Sequence, residues 1–458
     1  MNLIPALRLP AAPRVGFAGA CGNTAALFRL AREYGNAWVT TTTHLSVAQA
    51  ALADHHFFGE EGILPDPPRG VVLFTAPVAE SRLGAMDSLT LNRVLTLADS
   101  LQMPLLIEAD GARRLPLKAP AEHEPVIPPF VDTVVVVAGL SAMGRPLAVD
   151  CVHRPERFAE LSGLSIGEPI NIEALARLLL HPLGGLKNIP PAARRVVLLN
   201  QADTADLQAA GQRLASHLLP TFHPVIISSL NPPTISHSSS VIGFTLYSVH
   251  EPVAGVILAA GASQRLGQPK QLLEWRGKPF VRQIAETALQ ADLSPVVVVS
   301  GAHGAAVQAA VQDLPLIASH NPDWEGGQST SIRVGLQHIP RERGAVIFLL
   351  ADQPQTPPIL LRALIERHAL TLAPIVAPLV RGQRANPVLF DRNTFPDLLA
   401  LTGETGGRAL FSRYPIEWLE WHDESMLLDV DTQEDYYRLT GEKPHTGFRS
   451  SDSIHSTH

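Results

Sequence analysis

Short apolar runs alternate with amphipathic stretches along most of the chain. Runs rich in Val, Ile and Leu and bounded by Gly, Pro, Asn or Asp read as strands buried on both faces, because a half-buried strand would alternate with polar residues. In the first half these are Val15–Ala18, Ala37–Thr41, Val71–Thr75, Pro104–Ala109, Thr133–Ala138, Val196–Asn200 and Val225–Ser228. Between them, apolar positions recur at helical spacing in Thr24–Tyr34, Ser88–Ser100, Ile172–Leu180 and Ala205–Leu218. The second half repeats the pattern. Its strands are Val253–Leu258, Pro295–Ser300, Ile317–His320, Ala345–Leu350, Ile375–Pro378 and Pro387–Phe390. Its helices are Lys278–Gln290, Gly304–Gln312, Ser329–His338 and Pro358–Thr371. Strand–helix alternation of this kind predicts two doubly wound α/β domains, with ligands gathered at the carboxyl ends of the strands.

A Ser- and Pro-rich stretch, Ser228–Ser240, separates the halves, and a polar tail without periodicity closes the chain. The expected organisation is a domain over 1–230, a linker over 231–252, a domain over 253–440 and a disordered tail over 441–458. With 46% hydrophobic and 17% charged residues, both halves can build a packed interior. A net charge of −7 argues against nucleic-acid or anionic-membrane binding. No apolar run is long enough for a membrane span, and the Pro-rich start, Met1 to Arg14, does not fit a secretory signal. Two cysteines, Cys21 and Cys151, fit a reducing cytoplasm and are too few for a disulfide framework.

The densest chemistry lies at the start of the second half. The run Val253–Leu258 feeds a small-residue loop, Ala259, Ala260, Gly261, Ala262 and Ser263, followed by Arg265, Gly267 and Lys270. Small side chains let backbone N–H groups approach phosphate oxygens, and two cations stand close by. The same stretch also reads as an ordinary strand-to-helix turn. Asp352 follows the run ending at Leu350, where a carboxylate suits a magnesium ion or caps a turn. Asp429 and Asp431 fall on one side of an extended segment, as further ligands or as caps of the helix that follows. A cationic loop and separate aspartates together suit a nucleoside triphosphate held through its phosphates and one metal ion.

These elements, LAAGASQRLGQPK, ADQP and LDVDTQED, resemble the molybdenum cofactor cytidylyltransferase group of the MobA-like NTP transferases, over essentially all of 253–440. The resemblance implies a Rossmann-like nucleotidyltransferase domain. It implies that Ala259, Ala260, Gly261, Ser263, Arg265 and Lys270 grip the triphosphate and that Asp352 and Asp431 bind Mg²⁺. Lys270, Arg265 and Asp352 would carry catalysis. The helix N-terminus near Ser329 would meet the nucleotide. Asn386 and Arg408 would face the acceptor, although the Gly382–Pro387 element is longer than the family's, and Glu404 and Gly407 replace its Asp and Ala.

In the first half, Val15–Thr24 is again strand, Gly-rich turn and helix, with Gly19, Gly22 and Thr24. It approaches a phosphate-binding P-loop but carries Asn23 where the loop lysine belongs. A plain helix-capping turn without ligand accounts for it equally well. Asp110 follows a strand and could sit near a metal, and Asn200 with Asp203 resembles a base-reading turn that has Gln201 in place of lysine. Together with Thr40–His44 and the EADG…LPLKAPAEHEPVIP stretch, these residues resemble the selenium-dependent molybdenum hydroxylase accessory family over about 14–230. That implies a P-loop-like domain linked to cofactor maturation. Arg113, Arg114 and Lys118 are its candidate holders of an anionic cofactor, or a solvated basic turn.

The expected function is transfer of CMP from CTP to the phosphate of molybdopterin, with pyrophosphate released and Mg²⁺ as cofactor. A molybdenum hydroxylase apoenzyme is the expected partner. The rivals are a guanylyl or sugar-phosphate nucleotidyltransferase, a noncatalytic cofactor chaperone, and a P-loop GTPase regulator.

Overall fold

The computed structural model describes the chain apart from residues 1, 21, 60–66, 78–81, 112, 231–233, 237–238, 242, 264–265 and 442–458, and apart from the side chains of 234–236 and 239–241. The chain divides into two compact units, residues 1–251 with 369–372, and residues 252–368 with 373–458. Each is built on a mixed α/β sheet. No helix among the described residues is long and apolar enough to cross a membrane.

The first unit has an eleven-stranded sheet. At its centre Arg14–Gly19 runs parallel to Leu105–Glu108 on one side and to Thr133–Gly139 on the other. Arg194–Asn200 and Val225–Leu230 extend it beyond Thr133–Gly139, and Ala37–Thr41 and Val71–Pro77 beyond Leu105–Glu108. The central strands are buried on both faces, which explains their unbroken apolar runs. Two clusters of buried residues cover the two faces. From Gly19 the chain returns on the Leu105–Glu108 side, whereas from Glu108 it crosses to Thr133–Gly139. This reversal opens a crevice at the carboxyl ends of Arg14–Gly19 and Thr133–Gly139.

One expectation needs correcting. Phe244–His250, assigned to the linker, is a strand paired antiparallel with Val225–Leu230. It lies at the sheet edge and is only partly buried, so exposed Thr245 interrupts its apolar pattern.

The second unit has an eight-stranded sheet. Val253–Ala259 lies parallel between Val296–Ser300 and Ala345–Leu350, and Ile317–His320 extends the first of these. Val388–Asp391 pairs antiparallel with both Ala345–Leu350 and Ile375–Val380, so the sheet is mixed rather than wholly parallel. Residues of Val253–Ala259 alternate between the two buried clusters, one on each face. Connections leave Val253–Ala259 and Ala345–Leu350 in opposite directions. The reversal therefore lies between them, with the loop after Ala259 at one lip and Asp352 at the other.

Candidate active site

A solvent-open cleft with about 1710 Å³ of unfilled space occupies this reversal. Its floor is the loop Ala260–Ser263. Ser263 holds a left-handed conformation, with φ of 55°. Its Oγ accepts the Lys270 N–H at 3.0 Å and donates to Gln271 Oε1 at 3.3 Å, which brings Lys270 back to the loop. A short 3₁₀ turn, Lys270–Leu272, then fixes the lysine at the lip of the cleft. Arg265 lies outside the described residues.

The opposite lip is built from two distant segments. Val430 N–H donates to the Asp352 carbonyl at 3.3 Å, which ties Leu428–Thr432 to the tip of Ala345–Leu350. Helix capping is done by Thr432 and Asp435, which form a capping box on Gln433–Thr440, so Asp431 is left to face the cleft. Lys270 Nζ lies 2.5 Å from Asp352 Oδ2 and 3.0 Å from Asp431 Oδ1. Burial works against the ammonium, but Asp352 and then Asp431 outweigh it and raise the lysine pKa. Asp352 Oδ1 is buried without a partner among the described residues. Asp429 accepts from Gln353 Nε2 at 2.5 Å. Burial, then the charge of Asp352, raises its pKa.

Two carboxylates therefore hold one lysine, and Asp429 lies near enough to feel the charge of both. An anionic polyphosphate cannot enter such a site at low cost unless a further cation enters with it. The residues present fit a divalent ion, since two carboxylates converge and one buried oxygen lacks a partner.

Trp324, Glu325, Gln328, Ser331 and Glu404 line the far wall. Ser329 is not among the lining residues: its N–H is committed to the Gly403 carbonyl at 3.2 Å, and its buried Oγ has no partner among the described residues. Arg408 is exposed, and its charge reaches Asp429. Asn386 is 9% exposed and does not line the cleft. Ala259 is buried beneath the loop. Gln271 escaped notice as a lining residue, although its place beside Lys270 was a signal.

In the first unit, Gly19 and Asp110 line a narrower pocket together with Lys118. A Cβ on Gly19 would lie 2.4 Å from the Val137 carbonyl, so the turn requires glycine. Lys118 Nζ is ion-paired with Asp110 and with Glu124, the latter at 2.9 Å, so Asp110 already has a cation. Thr24 Oγ1 donates to Glu108 Oε2 at 2.8 Å. Burial pushes Glu108 up to about 8, against the Thr24 hydrogen bond and with help from the Asp110 charge. Burial likewise holds Asp110 up, to about 6, despite Lys118. Gly22 packs against Asn200, whose Oδ1 accepts the Leu230 N–H at 2.8 Å. Asp203 is exposed and accepts from Ser229, away from the lining of the pocket. The base-reading expectation thus finds Asn200 and Asp203 engaged with the neighbouring strand Val225–Leu230.

Two α/β units, one with a lysine–aspartate cleft at its topological reversal, define the class. Residues 255–418 match the MobA-like NTP transferase domain and residues 15–156 the YqeC protein family. The chain is 30% identical over 215 residues to the uncharacterized protein YqeC of Escherichia coli, covering 44% of this chain and 82% of that protein. It is 32% identical over 197 residues to nicotine blue oxidoreductase of Paenarthrobacter nicotinovorans, covering 41% of this chain and 96% of the relative. A probable molybdenum cofactor guanylyltransferase of Bacillus cytotoxicus is 26% identical over 197 residues, covering 41% and 96%. The chain belongs to both families, joining a YqeC domain to a MobA-like NTP transferase domain.

Proposed function

We propose that the C-terminal domain transfers CMP from CTP to the terminal phosphate of molybdopterin and releases pyrophosphate. The observation that carries this reading is the convergence of Lys270, Asp352 and Asp431 opposite a loop of small residues. Membership of a nucleotidyltransferase family supports the reaction class, and the molybdenum cofactor relative supports the acceptor. Ala260, where guanylyl enzymes of the resembled family tend to carry Gly, favours CTP over GTP. The relative named as an oxidoreductase shares this domain, but a carboxylate-flanked lysine facing a phosphate-sized loop suits polyphosphate transfer rather than a redox step.

A magnesium ion on Asp352 and Asp431 would supply positive charge to the phosphate oxygens. The chain's own residues do the rest. Ala260, Gly261 and Ala262 offer backbone N–H groups to the triphosphate. Lys270 exchanges its carboxylate contacts for the charge that builds on the departing pyrophosphate. Arg265 adds a second cation to the same loop. Arg408 orients the acceptor, whereas Asn386, buried and outside the lining of the cleft, is not assigned a contact with it. Its phosphate is largely ionised near neutral pH, so no general base is assigned. Positioning of two anions supplies most of the acceleration.

The N-terminal domain, read as P-loop-like, holds the anionic cofactor or a molybdenum hydroxylase apoenzyme through Gly19, Gly22, Thr24 and the basic turn Arg113–Arg114, in the cytoplasm. Its Asp110 is not assigned a metal, because its pairing with Lys118 is fully buried, whereas the Lys270–Asp352 pair stays open to the cleft.

Pyrophosphate release with CTP, GTP, ATP and UTP in turn tests the reading. CTP should be preferred and should require Mg²⁺. Preference for GTP would overturn the cytidylyl assignment, and release that survives Asp352→Ala would overturn the metal assignment.

A further inference from the structure

Along Ala260–Ala262 the loop that faces the cleft has no side chain capable of fixing its shape. Ala260, Gly261 and Ala262 carry at most a methyl group. A Cβ placed on Gly261 would find one atom within 4 Å outside its immediate chain neighbours, Gln271 Nε2 at 3.9 Å. Gln271 is 2% exposed. Its Nε2 donates to the Gly261 carbonyl at 2.6 Å and to the Ala259 carbonyl at 3.3 Å, and its Oε1 accepts from Ser263 Oγ at 3.3 Å. The Ala260 carbonyl between them accepts the Ala302 N–H at 3.2 Å. Three successive carbonyls are therefore engaged on the protein side. In a planar trans peptide the N–H points opposite to the C=O. Holding the Ala259 and Gly261 carbonyls inward turns the Ala260 and Ala262 N–H groups outward. No acceptor is recorded for the Gly261 or Ala262 N–H among the described residues.

We propose that Gln271 is a positioning residue for the polyphosphate: its carboxamide sets the orientation of the loop peptides and so builds the N–H cradle that receives the phosphates. This rests on the nucleotidyltransferase reading. The primary amide is suited to the task, since it offers two N–H donors to carbonyls and one acceptor to a hydroxyl without adding charge beside an anion. Methionine has similar reach and volume but no donor and only a weak sulfur acceptor, and would leave two carbonyls free to swing outward. A glutamate would present oxygens to those carbonyls and a negative charge to the ligand.

The test compares full-length wild type with Gln271→Met and Ser263→Ala. The readouts are Mg²⁺-dependent pyrophosphate release, inhibition by added pyrophosphate, and inhibition by the free nucleoside of the preferred nucleotide. Gln271→Met should lower kcat/KM about 30-fold, as expected for loss of buried hydrogen bonds that shape a binding loop. It should weaken pyrophosphate inhibition by a similar factor and leave nucleoside inhibition unchanged. Ser263→Ala, which keeps both carbonyl contacts, should lose about fivefold or less. If wild type releases no pyrophosphate from any nucleotide, the functional reading fails and this inference falls with it. If wild type turns over and Gln271→Met matches it, the inference alone fails. Equal weakening of pyrophosphate and nucleoside inhibition would mean a general loss of structure and would also overturn it. Should Gln271→Met not fold, pyrophosphate inhibition of Gln271→Asn decides: its shorter amide should weaken pyrophosphate binding, and full retention of that binding overturns the proposal.

Discussion

Replacing Lys270 with methionine should move metal affinity and catalysis in opposite directions. The substitution keeps most of the hydrocarbon stem and removes the ammonium that lies 2.5 Å from Asp352 and 3.0 Å from Asp431. At an effective dielectric near 20, each such contact is worth about 6 kcal/mol of bare Coulomb attraction. The side chains are partly solvated, with relative exposures of 22% for Lys270, 16% for Asp352 and 48% for Asp431, so most of that is screened. About 1 kcal/mol of net preference for the free carboxylates remains. A divalent ion entering without nucleotide no longer has to displace the ammonium, so Mn²⁺ should bind Lys270→Met about fivefold more tightly than wild type. Turnover should fall. Loss of one pre-aimed charge partner for a developing phosphate oxyanion costs about 3–4 kcal/mol, or about two to three orders of magnitude in kcat/KM. Calorimetric titration with Mn²⁺ and a pyrophosphate-release assay on the same preparation read both effects. Unchanged or weaker Mn²⁺ binding would show that the two aspartates do not share an ion. Turnover within about threefold of wild type would remove Lys270 from the phosphate site.

Asp352→Ala should abolish Mg²⁺-dependent pyrophosphate release while leaving the melting temperature within a few degrees of wild type, because its carboxylate is bonded to Lys270 and not to a structural backbone cap; a collapsed melting curve would assign it a folding role instead. Glu108 should make the N-terminal domain less stable as pH rises. Its folded pKa of about 8 lies above the ordinary 4.5, so the native state keeps a proton that the unfolded chain gives up. The resulting stability is complete below about pH 4.5 and is lost as pH rises through about 8. Glu108→Gln, which stays neutral, should flatten that slope and gain about 2–5 kcal/mol near pH 8, and parallel melting curves for the two proteins from pH 5 to about 8.5 would refute the assignment. Gly335→Ala should destabilise the second unit by about 1–3 kcal/mol despite alanine's better helix propensity, since the new methyl would sit 2.4 Å from Val256 Cγ1; a denaturant midpoint equal to wild type would show that the strand yields at no cost.

The sheet centres were legible because two-sided burial leaves an unmistakable apolar run. Ala37–Thr41 and Ala345–Leu350 occupy the residues that the pattern marked, as does Ile317–His320, although that strand lies largely exposed at the sheet edge rather than buried on both faces. So do the helices Ser88–Ser100, Ile172–Leu180 and Ala205–Leu218, whose ends carry Asp87, Asn171 and Thr204 as caps. Edge strands were harder to see. Phe244–His250 and Ile416–Glu420 are half buried, so their sequences mix Thr, Ser and Glu with apolar residues, and neither carries the run that marks a central strand. Lys278–Pro279 was assigned to a helix because the apolar period begins there, yet it forms a two-residue strand with Glu274–Trp275. The same contrast governs the site. Asp352 and the Ala260–Ser263 loop were visible because position at the end of a buried strand is itself a signal. Gln271 and Lys118 were not legible in their contacts, because each depends on segments brought together by tertiary folding: Gln271 on loop carbonyls ten and twelve residues away, and Lys118 on Asp110 and Glu124 from the flanking loops.

The most direct measurement incubates the full chain with molybdopterin, Mg²⁺ and each of the four nucleoside triphosphates separately, and follows the pterin product by mass spectrometry alongside pyrophosphate. The account calls for a molybdopterin–cytidine dinucleotide formed in equal amount with pyrophosphate, only with CTP and only with metal present. Failure to form a dinucleotide with any nucleotide, while the protein remains folded and binds Mn²⁺, would contradict it.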